Sequence, residues 1–409
     1  MRKREKRNTF TMIFALACAN TALYGLPLMK SQFYDIMLEA LRLNHTQLST
    51  LFSINGIVCM LAYILGGILT DFFSVKKLML GALLVSGFLH LFVATVPNYA
   101  ILCIVFAVLA VTSVLFFYPA SMKTLTYLEE DGKRGSVFGN YIAVIDIIGI
   151  IIVGIGFFAM MITEESVYIF RIIILLYGVL HFVSAFLIYR LYEEKQGQEN
   201  SNRIKKSEIA GIISNKKVWG VIALIFSNYL MMSAMTYVIP FLSEVYGMSE
   251  QKILVLSIVR VNLIAIVAAP LAGKIVDKIG SAIKLMKVTF VCSAVLVLGL
   301  ILDFYISVPI LAIMLIILLI TFAVVSAKSL NLVTLSEIGV PQIYMGTAIG
   351  LVSFFGYSPD AFFYSLAGMA IDKYGVAGYK FIFIAFLICS VAGILASAFL
   401  LKALEKEGN

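Results

Sequence analysis

Gly273-Lys274-Ile275-Val276-Asp277-Lys278-Ile279-Gly280-Ser281 has an echo 206 residues earlier, in Gly67-Ile68-Leu69-Thr70-Asp71 with Lys76-Lys77 just beyond. Each copy closes a long apolar block, the eighth and the second along the chain. The interval is half of the 409-residue sequence. Two other pairs keep nearly the same register. Lys123 and Lys328 are 205 residues apart, and Gly135-x3-Gly139 is answered by Gly346-x3-Gly350. One such match would carry little. Three in register predict two tandem halves of six spans each.

Working outward, the composition says what surrounds those segments. Hydrophobic residues make up 61% of the chain, charged residues 13%, and the mean hydropathy is +1.01. A soluble protein needs about a quarter of its residues charged, so a soluble enzyme, a nucleic-acid binder and a disordered chain are excluded. The apolar residues fall in blocks near 10–36, 46–70, 78–97, 99–122, 137–162, 167–189, 218–243, 253–276, 284–306, 308–332, 346–371 and 377–401. Each is long enough to cross a hydrocarbon layer of about 30 Å at 1.5 Å per residue. Lipid offers no partner to open backbone groups, so the expected fold is an all-α membrane protein of twelve transmembrane helices.

The positive charge follows the blocks. With the N-terminus in the cytoplasm, the inner segments hold 22 of the 31 Lys and Arg, and the outer loops hold only Arg42, Lys252, Lys373 and Lys380. The formal charge of +8 is therefore a topology signal, and both termini are expected inside the plasma membrane. The one long polar run divides the chain into an N-terminal bundle at 1–192, a cytoplasmic linker at 193–217 and a C-terminal bundle at 218–409. Arg2-Lys3-Arg4 followed by Phe10–Cys18 has the look of a signal peptide, but the block runs on past Tyr24 and reads as a retained first span. Cys18, Cys59, Cys103, Cys292 and Cys389 each sit alone in apolar sequence, which argues for packing and against disulfides, a metal site or a cofactor.

These repeated segments resemble the signature of the major facilitator superfamily, roughly Gly-x-Leu-x-Asp-Arg-x-Gly-Arg-Lys after the second helix. Gly67, Leu69 and Asp71 fit it, while Phe72, Ser74 and Val75 stand where Arg, Gly and Arg are usual. The second copy keeps Gly273, Asp277, Lys278 and Gly280. A third echo, Gly368-Met369-Ala370-Ile371-Asp372-Lys373-Tyr374-Gly375, lies where nested inverted repeats would place one. Tyr118-Pro119 with Lys123, Arg134-Gly135, and Gly356-Tyr357-Ser358-Pro359-Asp360 resemble the organophosphate-antiporter branch. The resemblance implies the major facilitator fold, in two pseudo-symmetric six-helix bundles, and transport by alternating access about a central site. It also makes Gly67, Asp71, Gly273, Asp277, Lys278 and Arg134 gating residues, while the symmetry of Lys123 and Lys328 gives them a gate or binding role with snorkelling as the alternative. In physical terms the glycines let a neighbouring helix come close, and the aspartates can cap a helix N-terminus.

Charges inside the blocks point to the cargo. A charge at bilayer depth costs about 2.5–3.5 kcal/mol, so it normally faces a partner or a wet cavity. Arg260 lies well inside the eighth block, and Lys30 lies late in the first, after a Pro27 that frees a carbonyl. Both suggest a substrate anion, with an ion pair as the alternative for Arg260 and snorkelling as the alternative for Lys30. Tyr24, Tyr237 and Tyr357 are expected to hydrogen-bond substrate. Tyr118 and Tyr229 are weaker versions of the same idea. Asp146 and Asp360 are expected either to pair with a cation or to carry a coupled proton. His90 and His181 read as packed histidines, and Trp219 reads as an interface anchor.

The expected function is secondary active transport of a small organic anion (a carboxylate, sulfonate or phosphate ester) by proton symport or anion exchange, in a monomer. Relatives in the organophosphate branch carry an arginine in the seventh helix, and the block at 218–243 has neither Lys nor Arg. Efflux of amphipathic compounds and a transporter-like sensor are the alternatives. An enzyme is not expected, since no block pairs a nucleophile with a base.

Overall fold

The computed structural model describes residues 2–128, 134–193, 213–331, 333–340 and 345–408. Most of the expected linker at 193–217 lies outside them. Every regular element among the described residues is helical. Among the described residues, eleven helices are long and apolar enough to cross a membrane. The remaining expected span, 346–371, is present as two shorter helices, α16 (Met345–Gly356) and α17 (Pro359–Tyr374), parted at Tyr357-Ser358. Pro359 explains the break. It has no N–H to donate and its fixed φ suits the first turn of a helix, so it starts a helix more readily than it continues one. The twelve expected spans are thus accounted for.

The chain separates into two compact units. One comprises Met1–Leu43 with Leu61–Ser201, and the other Asn44–Met60 with Asn202–Asn409. In the first unit, α1 (Arg2–Leu28) ends in a 3-10 turn, Met29–Ser31, and is followed by the short α2 (Tyr34–Ala40). The first span therefore stops at Ser31 and does not continue to residue 36 as the apolar run suggests. Helix α3 (His45–Phe72) belongs to both units, its first half grouping with the second. Then come α4 (Val75–Val93), α5 (Tyr99–Ala110), a π-helical stretch at Val111–Phe117, α6 (Tyr118–Tyr127), α7 (Arg134–Ile162) and α8 (Ser166–Leu191).

Glycine sets the closest packing here. A Cβ on Gly87 would stand 3.0 Å from the Cβ of His181, and one on Gly178 would stand 3.0 Å from Leu91 Cδ2. Helices α4 and α8 therefore cross with little between them, and His90 and His181 meet at a ring separation of 4.5 Å. Each ring is bonded through Nδ1 to the carbonyl one turn back, Ser86 at 2.8 Å and Tyr177 at 2.7 Å. Their packing role stands.

The second unit holds α9 (Lys216–Ala234), a 3-10 turn at Met235–Tyr237, α10 (Val238–Tyr246) and α11 (Glu250–Ile258). A π-helical stretch at Val259–Leu263 leads into α12 (Ile264–Ile279). After these come α13 (Ala282–Leu302), α14 (Ile310–Leu330), α15 (Val333–Glu337), α16, α17 and α18 (Val376–Gly408). The duplication shows in the caps. Ser74 accepts from the Lys77 N–H ahead of α4, and Ser281 from the Lys284 N–H ahead of α13. Faces turned away from the packed interior are apolar. Leu311, Leu315 and Leu319, one turn apart on α14, are 75%, 57% and 46% exposed, as a bilayer permits and water does not.

Gly25 is the most constrained of the described glycines of the first unit, since an added Cβ would overlap the ring of Tyr177. Gly25→Ala should therefore destabilise the protein by about 1–3 kcal/mol, read as a lower melting temperature of the purified protein, whereas Gly81→Ala, with open space around it, should not.

Candidate functional site

The second unit contains a place where the regular α-helix of a span gives way, and polar side chains gather there. Pro240 lies three residues beyond the Met235–Tyr237 turn. Lacking an N–H, it leaves the carbonyl one turn back without its helical partner and crowds it. The helix tightens into a 3-10 turn just ahead of the proline. Three alternate residues of this segment then reach three different helices.

Met235 opens the turn. Its carbonyl accepts from a guanidinium nitrogen of Arg260 at 3.0 Å. Arg260 is delivered by the π-helical stretch at Val259–Leu263, whose wider turn buries both Arg260 (5% exposed) and Asn262 (7%) while Leu263 faces out at 48%. Insertions of this kind recur at functional sites because they re-aim side chains within an otherwise regular helix. The Arg260 side chain is therefore turned inward, not toward acyl chains.

Ser233, the last but one residue of α9, places its hydroxyl 2.6 Å from Asp360 Oδ1. The carboxylate stands in the first turn of α17, right after Pro359, where the partial positive charge of the helix N-terminus favours an anion. Tyr237 closes the segment. It is fully buried, and its hydroxyl lies 2.8 Å from Ser49 Oγ on α3 and 2.9 Å from the carbonyl of Tyr364 on α17. A cavity role was expected of Tyr237, but its hydroxyl is engaged between helices. Tyr357, at the break between α16 and α17, packs its ring against that of Tyr229, tilted by 34° with centroids 4.5 Å apart.

The first half of α3 runs against α17. The Ser365 N–H donates to Ser53 Oγ at 3.0 Å. A Cβ on Gly368 would overlap the carbonyl of His45, and one on Gly56 would overlap the backbone of Asp360. Asp372 accepts from the N–H groups of His45 (3.2 Å) and Thr46 (2.7 Å) at the start of α3. Close approach through glycine and a carboxylate cap are the two roles anticipated for the repeated segment, and here the third copy performs them.

At the second copy the arrangement differs. Gly273 has open space around it, and Asp277 and Lys278 are exposed. The carboxylate that caps the next helix comes from Glu337. It accepts from the N–H groups of Ala282 (2.7 Å) and Ile283 (3.0 Å) and from the Ser281 hydroxyl. The side chains of Asp71 and Arg134, and the surroundings of Gly67, lie outside the described residues.

In the first unit, Lys30 is buried at 8% exposure in the turn that ends span 1. Tyr24 reaches the carbonyl of Ser113 at 3.5 Å, inside the π-helical stretch of span 4. Asp146 and Lys123 are half-buried on α7 and α6, and Lys328 is exposed in the last turn of α14. Arg260, Asp360, Tyr237 and Tyr357 are thus gathered in one unit, while Lys30, Tyr24 and Asp146 belong to the other. No group of three or more His, Cys, Asp or Glu among the described residues is placed to hold a metal ion. Ser233, Ser49, Ser53, His45, Glu244 and Glu337 were missed from sequence. Only the hydroxyl run Ser49-Thr50-x2-Ser53, opposite a glycine-bearing helix, offered a signal.

Among the described residues, the long apolar helices describe a multi-pass membrane protein. The chain belongs to the Major Facilitator Superfamily, whose sequence pattern matches residues 9–363. It is 24% identical over 405 residues to the inner membrane protein YihN of Escherichia coli (strain K12), covering 95% of this chain and 94% of that one. It is 23% identical over 342 residues to the inner membrane protein YqcE of the same strain, covering 81% and 80%. Among solved structures, the nucleoside transporter NupG superposes with a TM-score of 0.72 at 12% identity, covering 98% of this chain and 99% of that one. The D-xylose-proton symporter superposes at 0.70 and 18% identity, covering 96% and 95%. The protein is accordingly a multi-pass membrane transporter of a small molecule.

Glu337 caps α13 with two backbone bonds, and Glu337→Ala removes both. The expected cost is about 0.5–2 kcal/mol, seen as faster hydrogen exchange in the first turn of α13, with Glu337→Gln retaining part of the protection.

Proposed function

We propose that this transporter carries a small organic anion across the plasma membrane by alternating access. A carboxylate, sulfonate or phosphate ester fits, driven by proton symport or exchange for another anion. The observation that carries the reading is Arg260. A guanidinium buried at the break of a neighbouring helix and held by a backbone carbonyl offers a fork of donors matched to carboxylate, sulfonate and phosphate oxygens. An incoming anion competes with that neutral carbonyl, and the charged acceptor makes the stronger bond. Lys30 is a second proposed anion contact, and Tyr24 and Tyr357 are proposed hydrogen-bonders.

Asp360 is the proposed coupling group. Its carboxyl shares a short bond with Ser233, and Ser233 precedes Met235 by two residues. Both bonds are therefore anchored on the same turn of span 7: Ser233 to Asp360 and Met235 to Arg260. A proton gained or lost at Asp360 acts on the helix segment that positions Arg260. Asp146 is the corresponding proposal in the first unit. The distribution of Lys and Arg supports cytoplasmic termini, and a monomer suffices for the mechanism.

The test is a thermal-shift series on the purified protein with small carboxylates, sulfonates and phosphate esters. At a hundredfold excess over its dissociation constant, a true ligand stabilises the folded protein by about 2.7 kcal/mol, and Arg260→Ala should abolish that response while leaving the unliganded melting curve readable. Equal stabilisation of the wild type and Arg260→Ala by every anion would sink the anion assignment, and the transporter class would stand.

A further inference from the structure

One residue joins three helix ends in the second unit. His45 opens α3, and its own N–H and that of Thr46 are held by Asp372 from the last turn of α17. Its imidazole Nε2 lies 2.9 Å from Oε1 of Glu244, near the end of α10. The histidine side chain is 12% exposed and the glutamate 37%. Protons from solvent can therefore reach a pair that is largely enclosed on the histidine side. Asn44 and Gln47 complete the same turn by exchanging side-chain bonds to each other's N–H, at 2.8 and 3.2 Å.

The charges around His45 can be assigned by element. Glu244 comes from α10 and Asp372 from α17. Lys373, next to Asp372, has its ammonium 5.2 Å over the ring of Tyr374. The N-terminus of α3 adds the equivalent of about half a positive charge. With a neutral imidazole, the Glu244 contact is a neutral hydrogen bond. A protonated imidazole converts it to an ion pair. Histidine is the side chain whose ordinary titration falls near neutral pH.

We propose that His45 is a proton-operated latch: acid on its side of the membrane tightens the clasp of α3 against α10 and α17, and neutral pH loosens it. Beneath the latch lie the Gly368 approach, the Ser365–Ser53 bond and the Tyr237 hydroxyl bridge, so the whole α3–α17 seam is locked or released from its end. The inference rests on the carrier reading only in its purpose, since alternating access requires this seam to part. Its test reads the seam and no flux, so either idea can fail without the other.

Hydrogen exchange of the full-length protein in lipid nanodiscs, at about pH 5.5 and about pH 7.5 and corrected for intrinsic chemistry, measures the seam directly. Peptides from 45–56 and 360–372 should exchange roughly two- to fivefold more slowly at the lower pH. His45→Gln, which cannot be charged, should erase that difference, and His45→Lys, charged throughout, should give slow exchange at both values. Glu244→Gln, on the exposed rim, carries the same expectation as His45→Gln if the histidine variants do not fold. A wild type indifferent to pH, or a pH step that survives in His45→Gln or Glu244→Gln, would overturn the latch.

Discussion

Inside a bilayer every backbone N–H and C=O needs a partner within the protein, and this requirement organises the second unit. A regular helix meets it internally and leaves little for side chains to hold. Where Pro240 interrupts span 7, the backbone tightens into a 3-10 turn, and the Met235 carbonyl at its head is met from another element. Arg260 meets it, and the π-helical stretch that aims Arg260 inward departs from the α-helical ladder as well. Two local irregularities thus serve each other. The same turn carries Ser233 to Asp360 and Tyr237 to Ser49 and Tyr364, so a single fault in one helix gathers the polar contacts of its neighbours.

The glycine–aspartate segment shows how one sequence device serves different ends. Its physics is simple: a missing side chain admits a neighbouring backbone, and a carboxylate one turn later meets the open N–H groups of that neighbour. At Gly368 and Asp372 both halves operate on the start of α3. At Gly273 and Asp277 neither does in this conformation, and Glu337 supplies the cap for α13 instead. The proposed alternating access needs some such clasps open while others are closed, and this structure holds one copy engaged and one not.

The fold is legible in the sequence because it depends on bulk properties. Block length, mean hydropathy and a half-chain repeat survive any uncertainty over which way a side chain points. Twelve spans can therefore be read correctly, even though Pro359 divides the eleventh into pieces too short to register as a crossing helix. The site is legible only where a residue is costly in its surroundings. Arg260 stands out because a guanidinium within a span needs a reason, and it is buried. Serines do not stand out, since a hydroxyl in a membrane helix usually satisfies itself on the carbonyl one turn back, as Thr21 and Thr124 do here. Ser49, Ser53 and Ser233 differ only in what lies opposite them, and that is tertiary information. His45, Glu244 and Glu337 sit at block ends, where charge is ordinary and carries no signal until distant helix ends meet.

Arg260 also explains why a buried cation need not be a liability. Removing a guanidinium from water costs several kcal/mol unless its donors are engaged, and the Met235 carbonyl contributes to that compensation as a neutral acceptor. A carboxylate in the carbonyl's place would bind more strongly, and under the proposed anion transport the cargo would then have to displace an acceptor of equal charge. The neutral acceptor gives up some stability and, on that proposal, leaves the stronger bond to a mobile anion. Pro240 lacks the N–H that would serve the Thr236 carbonyl, so the helical ladder of span 7 is already incomplete at the Met235–Tyr237 turn, beside the carbonyl that Arg260 meets.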